Sequence, residues 1–136
     1  MKRFVVPLRE AVTGALPAKG GVGTYRILLD QATAGAQHFS LLHNELAPGS
    51  VGSEHAHDVE QCFYVMGGRG VFTIGGARHE VGPETAVYVP AGVRHQVESV
   101  GREPLSYVTV YAPAGPEQDL RARGYQAFGP ATSVTS

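Results

Sequence analysis

The chain has 136 residues, of which 43% are hydrophobic, and a formal net charge of −1 at pH 7. This length is typical of one domain, and the near-neutral charge argues against a nucleic-acid partner, which requires a basic surface. The single cysteine, Cys62, excludes an internal disulfide and any multi-thiolate zinc or iron–sulfur site. No stretch approaches the roughly 18 consecutive apolar residues of a membrane span, and no signal peptide is evident, so we expect no membrane partner and a cytoplasmic location.

The predicted elements are short strands separated by turns. Residues 1–34 are expected to form a lead-in of strands and loops, in which the glycines and Pro17 between Gly14 and Gly23 interrupt any regular pattern. The predicted strands, the first of which lies within this lead-in, are rich in β-branched and aromatic residues, and most are spaced by about 8–12 residues, which is typical of a sandwich or small barrel. They are Thr24–Leu29, Gln37–Leu46, Gln61–Met66, Val71–Ile74, Thr85–Val89, Arg94–Val100 and Leu105–Ala112.

Glycine pairs mark the predicted hairpins, and one helix is predicted near the end of the chain. Gly67-Gly68 and Gly75-Gly76 supply the positive φ angles that tight hairpin turns need. Pro116 is expected at the first helical position and Gly124 just past the last. We therefore assign residues 35–112 to a barrel core and residues 113–136 to a C-terminal tail, with Ala131–Ser136 expected to fray.

Two of the six histidines, His55 and His57, are spaced so that a strand would place both imidazoles on one face. Gln61 has the same parity and would face the same way. Neutral imidazoles are good ligands for a divalent metal, although an exposed loop fits this spacing equally well because Gly49–Glu54 is loop-like. His95, about forty residues later at a strand start, favours the metal site, because a neighbouring strand would bring it beside the pair.

Two segments resemble the sequence motifs of the cupin family. Residues 49–68, GSVGSEHAHDVEQCFYVMGG, resemble the first motif, and residues 84–99, ETAVYVPAGVRHQVES, resemble the second. The resemblance implies an all-β protein with a single cupin β-barrel, also called a double-stranded β-helix or jelly roll, and with the short C-terminal helix added. It also implies one divalent metal ion (Mn, Fe, Ni, Zn or Cu) bound by His55, His57, Gln61 and His95.

The chain departs from the family pattern at Gln61, where glutamate is usual. A glutamine ligand is neutral, so the metal would keep its full double positive charge and attract anionic ligands. This favours Lewis-acid chemistry of the lyase, isomerase or decarboxylase type on a small anionic or chelating oxygenated metabolite. An iron- or manganese-dependent dioxygenase, a non-catalytic metal- or ligand-binding cupin and a structural cupin with an empty pocket are the alternatives.

No catalytic residue is assigned from the sequence. The candidates for proton transfer lie on predicted strands, and for each of them packing or surface exposure is the stronger expectation: Tyr64, Tyr88, Tyr107, Tyr111, Glu45 and His43. Candidate cavity walls are Phe63, Val65, Phe72, Val87 and Val97. Cys62 is expected to pack as a small hydrophobe on the opposite face, and His38 and His79 to be surface or structural residues. Open strand edges favour a homodimer that acts on a small-molecule substrate.

Overall fold

The computed structural model describes residues 2–127, with the side chains of residues 2–122. Within this range, eleven strands and two α-helices follow a short 3-10 turn at Leu8–Glu10. The strands are β1 (Val12–Leu16), β2 (Ala18–Lys19), β3 (Gly23–Leu29), β4 (Ser40–Leu46), β5 (Val51–Gly52), β6 (Glu60–Gly67), β7 (Gly70–Ile74), β8 (Ala77–Val81), β9 (Thr85–Val89), β10 (His95–Ser99) and β11 (Leu105–Ala112). The helices are α1 (Gln31–Ala34) and α2 (Pro116–Ala127).

The strands form two antiparallel sheets, which confirms the predicted all-β jelly roll. One sheet has the order β1-β3-β4-β11-β6-β9, and the other has the order β2-β5-β10-β7-β8. Side chains along β4, β6, β10 and β11 alternate between buried and more exposed positions. Because successive side chains on a strand point to opposite faces, each of these strands contributes one apolar row to the space between the sheets.

The hydrophobic core is divided into two clusters. One contains Phe63, Phe72 and Tyr107 with their aliphatic neighbours. The other contains Tyr25 and Leu42 of the barrel and Leu120 of α2. Each fully buried side chain of this size contributes roughly 1.5–3 kcal/mol through removal of apolar surface from water. The division matters for function, because it leaves a cavity between the clusters that polar side chains enter.

Both glycine pairs lie in turns, but the structure confirms the predicted hairpin only at Gly75-Gly76. Gly68, Gly75 and Gly76 have φ angles of 80°, 56° and 87°, a region that residues with a Cβ rarely adopt. At Gly68 a Cβ would also lie only 2.3 Å from the backbone oxygen of Pro104. Gly75-Gly76 joins β7 and β8 as a hairpin, in which Ile74 pairs with Ala77. The turn at Gly68 instead carries the chain from β6 in one sheet to β7 in the other, so the hairpin predicted at Gly67-Gly68 was wrong.

Two buried carboxylates anchor α2 across one end of the barrel. Asp30, whose side chain is fully buried, accepts hydrogen bonds from Arg121 Nε at 2.7 Å and Nη2 at 2.9 Å. Glu117 is 1% exposed and accepts a hydrogen bond from Ser40 Oγ at 2.7 Å. This bidentate ion pair and the second hydrogen bond fix the helix over the cavity between the two core clusters.

Several local predictions were wrong. The segment between Gly14 and Gly23 was expected to be irregular, yet β1 and β2 form there, because pairing with β3 and β5 supplies hydrogen bonds that compensate for weak local propensity. The sequence also did not indicate α1, β5 or β8. Gly124 lies inside α2 rather than after it, since one glycine costs a helix only about 1 kcal/mol. The predicted fraying of Ala131–Ser136 lies outside the described residues.

Candidate metal centre

His55 and His95 are joined through their backbones. The His55 N–H donates to His95 O at 3.0 Å, and the His95 N–H donates to His55 O at 2.8 Å. This single antiparallel bridge places the two rings side by side, with centroids 4.6 Å apart. The loop between β5 and β6 is therefore fixed to the start of β10, although forty residues separate the two histidines in the sequence.

His57 completes a cluster of three imidazoles. Its backbone oxygen accepts a hydrogen bond from Gly92 N at 2.6 Å, which ties it to the turn before β10. Its ring centroid lies 4.6 Å from that of His55 and 5.4 Å from that of His95. One ring nitrogen from each of the three lies within 4.8 Å of the others, a spacing compatible with ligation of one ion.

Gln61 enters the same cavity from β6. It is 4% exposed and pairs in register with Tyr111 of β11. A hydrogen bond joins the Gln61 side chain to the Tyr111 hydroxyl. Among the described residues, Gln61 Oε1 has no hydrogen-bond partner. The amide nitrogen is thus directed to the phenol, and the carbonyl oxygen is left for another partner.

Three of the buried atoms without hydrogen-bond partners are of the kind that a metal requires. Among the described residues, His57 Nε2, His95 Nε2 and Gln61 Oε1 are all buried and make no hydrogen bond. Leaving such groups unpaired costs about 1–3 kcal/mol each. His95 Nδ1 lies 3.0 Å from Val93 O, so Nδ1 carries the proton and the lone pair of Nε2 points into the cavity. The donor set therefore fits a divalent cation.

The histidines are neutral at physiological pH, which is the form that binds metals. Burial, followed by repulsion from the neighbouring imidazoles, lowers the pKa of His55 to about 4. Burial and repulsion from His95 lower the pKa of His57 to about 4, against a small opposing effect of Asp119. Burial also lowers the pKa of His95. Protons therefore compete with a metal only under acidic conditions.

Comparison with known proteins identifies the family. The sequence pattern described as "Cupin domain" matches residues 42–111. The chain belongs to the cupin family. The tetracenomycin polyketide synthase protein TcmJ of Streptomyces glaucescens is 31% identical to this cupin over 111 residues, which cover 81% of this chain and 74% of that protein.

Solved structures agree with the cupin fold. The polyketide cyclase RemF of Streptomyces resistomycificus aligns with a TM-score of 0.70 and 27% identity over 85% of this cupin and 82% of RemF. A predicted oxalate decarboxylase from Thermotoga maritima aligns with a TM-score of 0.73 and 22% identity over 82% of this chain and all of that one. At that lower identity, the second likeness shows the fold alone. In the described part of this cupin, neither helix is long and apolar enough to cross a membrane.

The cavity of this cupin has a volume of about 210 Å³. Of the candidate walls, Phe63 and Val97 line it, whereas Val65, Phe72 and Val87 pack in or against the core cluster. Leu120 and Asp119 of α2 contribute part of the lining. Asp119 is the one carboxylate that lines the cavity among the residues described. The cavity thus has apolar sides, a cluster of histidines and a single acidic group on the helix.

The candidates for proton transfer divide into three groups. Tyr107 and Tyr111 line the cavity, and burial raises the pKa of both phenols, so that they stay protonated and neutral. Tyr64 and Tyr88 are about half exposed on the outer face of their sheet. The remaining two candidates, His43 and Glu45, are half-buried on β4. Only the two buried tyrosines are therefore placed to meet a ligand.

Other expectations have mixed outcomes. His38 and His79 are exposed, as expected of surface residues. Cys62 was expected to pack as a small hydrophobe, but it is exposed, because the outward row of β6 has no element covering it in the described chain.

Asn44 lines the cavity but was not among the residues predicted from the sequence. The signal was present: a polar residue stands between two leucines in the inward row of β4.

Proposed function

We propose that this cupin is a divalent-metal-dependent enzyme that acts on a small, oxygen-rich substrate of the polyketide type, with His55, His57, Gln61 and His95 as the metal ligands. The observation that carries the proposal is the convergence of buried, unpartnered Nε2 and Oε1 atoms on one cavity. The named relatives support the substrate class, because TcmJ is a polyketide synthase protein and RemF is a polyketide cyclase. Cyclisation of such a substrate belongs to the lyase and isomerase type of chemistry that the neutral ligand set favours.

When bound, a divalent cation would supply Lewis acidity toward carbonyl oxygens. The protein's own residues then have distinct roles. The neutral side chain of Gln61 leaves the charge of the cation uncancelled, which favours an enolisable or anionic ligand. Tyr111 holds the Gln61 amide in place through its hydroxyl. Water is excluded from the cavity by the apolar side chains of Phe63, Val97 and Leu120. The carboxylate of Asp119, on α2, would accept the proton that the substrate loses.

The test combines metal analysis with turnover. The purified protein is analysed by plasma mass spectrometry and then incubated with pentane-2,4-dione and a linear poly-β-ketone thioester, with and without dioxygen. We expect about one divalent ion per chain and cyclisation or cleavage products that form equally well without dioxygen. His57→Ala should lose both metal and turnover, and His79→Ala, which removes an exposed imidazole, should lose neither.

Each alternative predicts a different result. Turnover that consumes dioxygen and stops without it would replace the Lewis-acid proposal with the dioxygenase. Stoichiometric metal without turnover on any enolisable substrate would favour a non-catalytic metal- or ligand-binding cupin. A metal-free protein that takes up no added Mn, Fe, Ni, Zn or Cu would refute the ligand assignment.

We also propose that this cupin is a cytoplasmic homodimer. The outer face of β6 and of its neighbour β9, the edge strand, exposes three large side chains: Tyr64 is 46% exposed, Met66 54% and Tyr88 54%. A second copy would remove this apolar surface from water. All four proposed ligands lie within residues 35–112, which we propose as the functional core between the lead-in and the tail. Light scattering on wild-type protein and on Met66→Lys tests the dimer, because only the wild type should have twice the mass of the chain.

A further inference from the structure

We infer that Asn44 and Tyr107 form a second recognition point in the cavity, separate from the metal ligands, which binds a hydroxyl group of the substrate such as an enol or phenol O–H. The inference rests on the proposed function only in taking this cavity as the substrate site. It deepens that function by giving the substrate a second required group, opposite the oxygens that meet the metal.

Asn44 is buried in a row where an apolar residue would be expected. Leu42, Asn44 and Leu46 face inward along β4 and are 0%, 4% and 1% exposed. Asn44 Nδ2 donates to Thr109 Oγ1 at 3.1 Å. Asn44 Oδ1 is buried and has no hydrogen-bond partner in the described chain, yet the residue lines the cavity. An unpaired buried carbonyl costs about as much as a lost hydrogen bond, so this oxygen indicates a missing donor.

Tyr107 supplies the complementary group. It lies directly opposite Asn44 in the β4–β11 register and also lines the cavity. Its ring packs edge-on against Phe63 and Phe72, with centroids 5.5 Å and 6.0 Å away, so its direction is fixed. Burial raises the pKa of the phenol, and a hydrogen bond with the Asn44 side chain only partly opposes that rise. The hydroxyl therefore stays protonated.

Together the two residues select a neutral hydroxyl. The two N–H groups of Asn44 are directed to Thr109 and Tyr107, which leaves its carbonyl oxygen as an acceptor for the ligand. A hydroxyl can donate to that oxygen while its own oxygen accepts from the Tyr107 O–H. A carboxylate has no proton to donate and would be repelled by Oδ1. This end of the cavity therefore differs in preference from the histidine end, which favours anionic oxygens.

The strand register separates the two ends. Tyr107 and Tyr111 lie on the same inward face of β11, four residues apart, which is roughly 13 Å of backbone. Tyr111 pairs with Gln61, whereas Tyr107 pairs with Asn44. Asn44 is thus placed with the hydrophobic end of the cavity and not with the proposed metal ligands. A substrate that bridges both ends must carry chelating oxygens and a hydroxyl on one rigid frame.

A matched pair of ligands tests this subsite. Calorimetry on the metal-loaded protein compares 1-phenylbutane-1,3-dione with its 4-hydroxyphenyl analogue, which differ by one remote hydroxyl. We expect the hydroxyl to tighten binding by roughly 3- to 10-fold, as one neutral hydrogen bond does. In Asn44→Leu and in Tyr107→Phe this preference between the two ligands should vanish, while the metal content stays unchanged. Glu45→Gln, the next residue on β4 but on its other face, is the control and should keep the preference.

The outcomes separate this inference from the proposed function. Equal binding of the two ligands to wild type, or an unchanged preference in both variants, would overturn the subsite while leaving the metal proposal intact. If no diketone binds because no metal is held, ligand-observed NMR of phenol against anisole tests the subsite directly. Phenol binding that disappears in the Asn44 variant supports it, and phenol binding that persists refutes it. Should Asn44→Leu fail to fold, Tyr107→Phe gives the same comparison.

Discussion

The metal-free protein should lose stability as the pH falls, because the three imidazoles of the site resist protonation in the folded state. The pKa values of His55 and His57 are about 4 in the fold and 6.5 as free side chains. Above pH 7 both states are neutral and stability is at its maximum. Below that pH the unfolded chain takes up protons that the folded chain excludes, so stability falls until the pH passes through the lower pKa near 4.

The size of the effect follows from these pKa values. At pH 5 an unfolded imidazole with a pKa of 6.5 is almost fully protonated, whereas a folded one with a pKa of about 4 is mostly neutral. The difference corresponds to at most about 2 kcal/mol for each group, and therefore about 4 kcal/mol for the pair. This is a large fraction of the roughly 5–15 kcal/mol by which domains are stable.

The assay is urea unfolding of chelator-treated protein at pH 8 and pH 5. We expect the free energy of unfolding to fall by up to about 4 kcal/mol through His55 and His57 together, with a further loss through His95. In His57→Gln, which removes one of these groups, the fall should be smaller by about 2 kcal/mol. His79→Gln serves as the control, since this exposed imidazole lies outside the cavity. Saturating divalent cation should suppress the acid effect, because ligated imidazoles do not take up protons. A wild-type stability that is equal at both pH values would refute the reasoning.

Three further predictions concern the site and its support. Gln61→Glu should raise metal affinity by at least about 10-fold through the added negative charge and should weaken the binding of oxalate, both measured by calorimetry; unchanged oxalate affinity would contradict the charge argument. His55→Ala combined with His57→Ala should remove the metal while circular dichroism still reports a folded barrel, because the apolar strand rows provide the stability; full metal retention would show that the ligands are misassigned. Arg121→Met leaves the buried Asp30 carboxylate without its cationic partner and should cost about 3 kcal/mol in unfolding free energy, whereas Arg9→Met, an exposed arginine, should cost almost nothing.

The buried ion pair connects the helix to the chemistry of the cavity. Arg121 and Glu117 anchor α2 to the barrel, and the same helix contributes Asp119 to the cavity lining. Loosening α2 should therefore admit water to the cavity and lower turnover more than it lowers metal content. Metal analysis alongside turnover in Arg121→Met distinguishes this effect from simple loss of the site.

The sequence by itself determined the elements that depend on local pattern. Alternation along β6 placed Gln61 inward and Cys62 outward, because the side-chain period of a strand is two. The glycine pairs predicted the turns after β6 and β7, since few other residues accept their φ angles. The motif resemblance nominated the four proposed ligands together with the fold in which they meet.

Tertiary structure decided what depends on pairing between distant segments. The two-residue strands β2 and β5 exist only because a partner supplies their hydrogen bonds, so no local signal announces them. The backbone bridge from His55 to His95 and the polar pair of Asn44 and Tyr107 join residues that are forty or more positions apart. A one-dimensional pattern assigns a side chain to a face, but only the register between strands determines which side chains share a cavity.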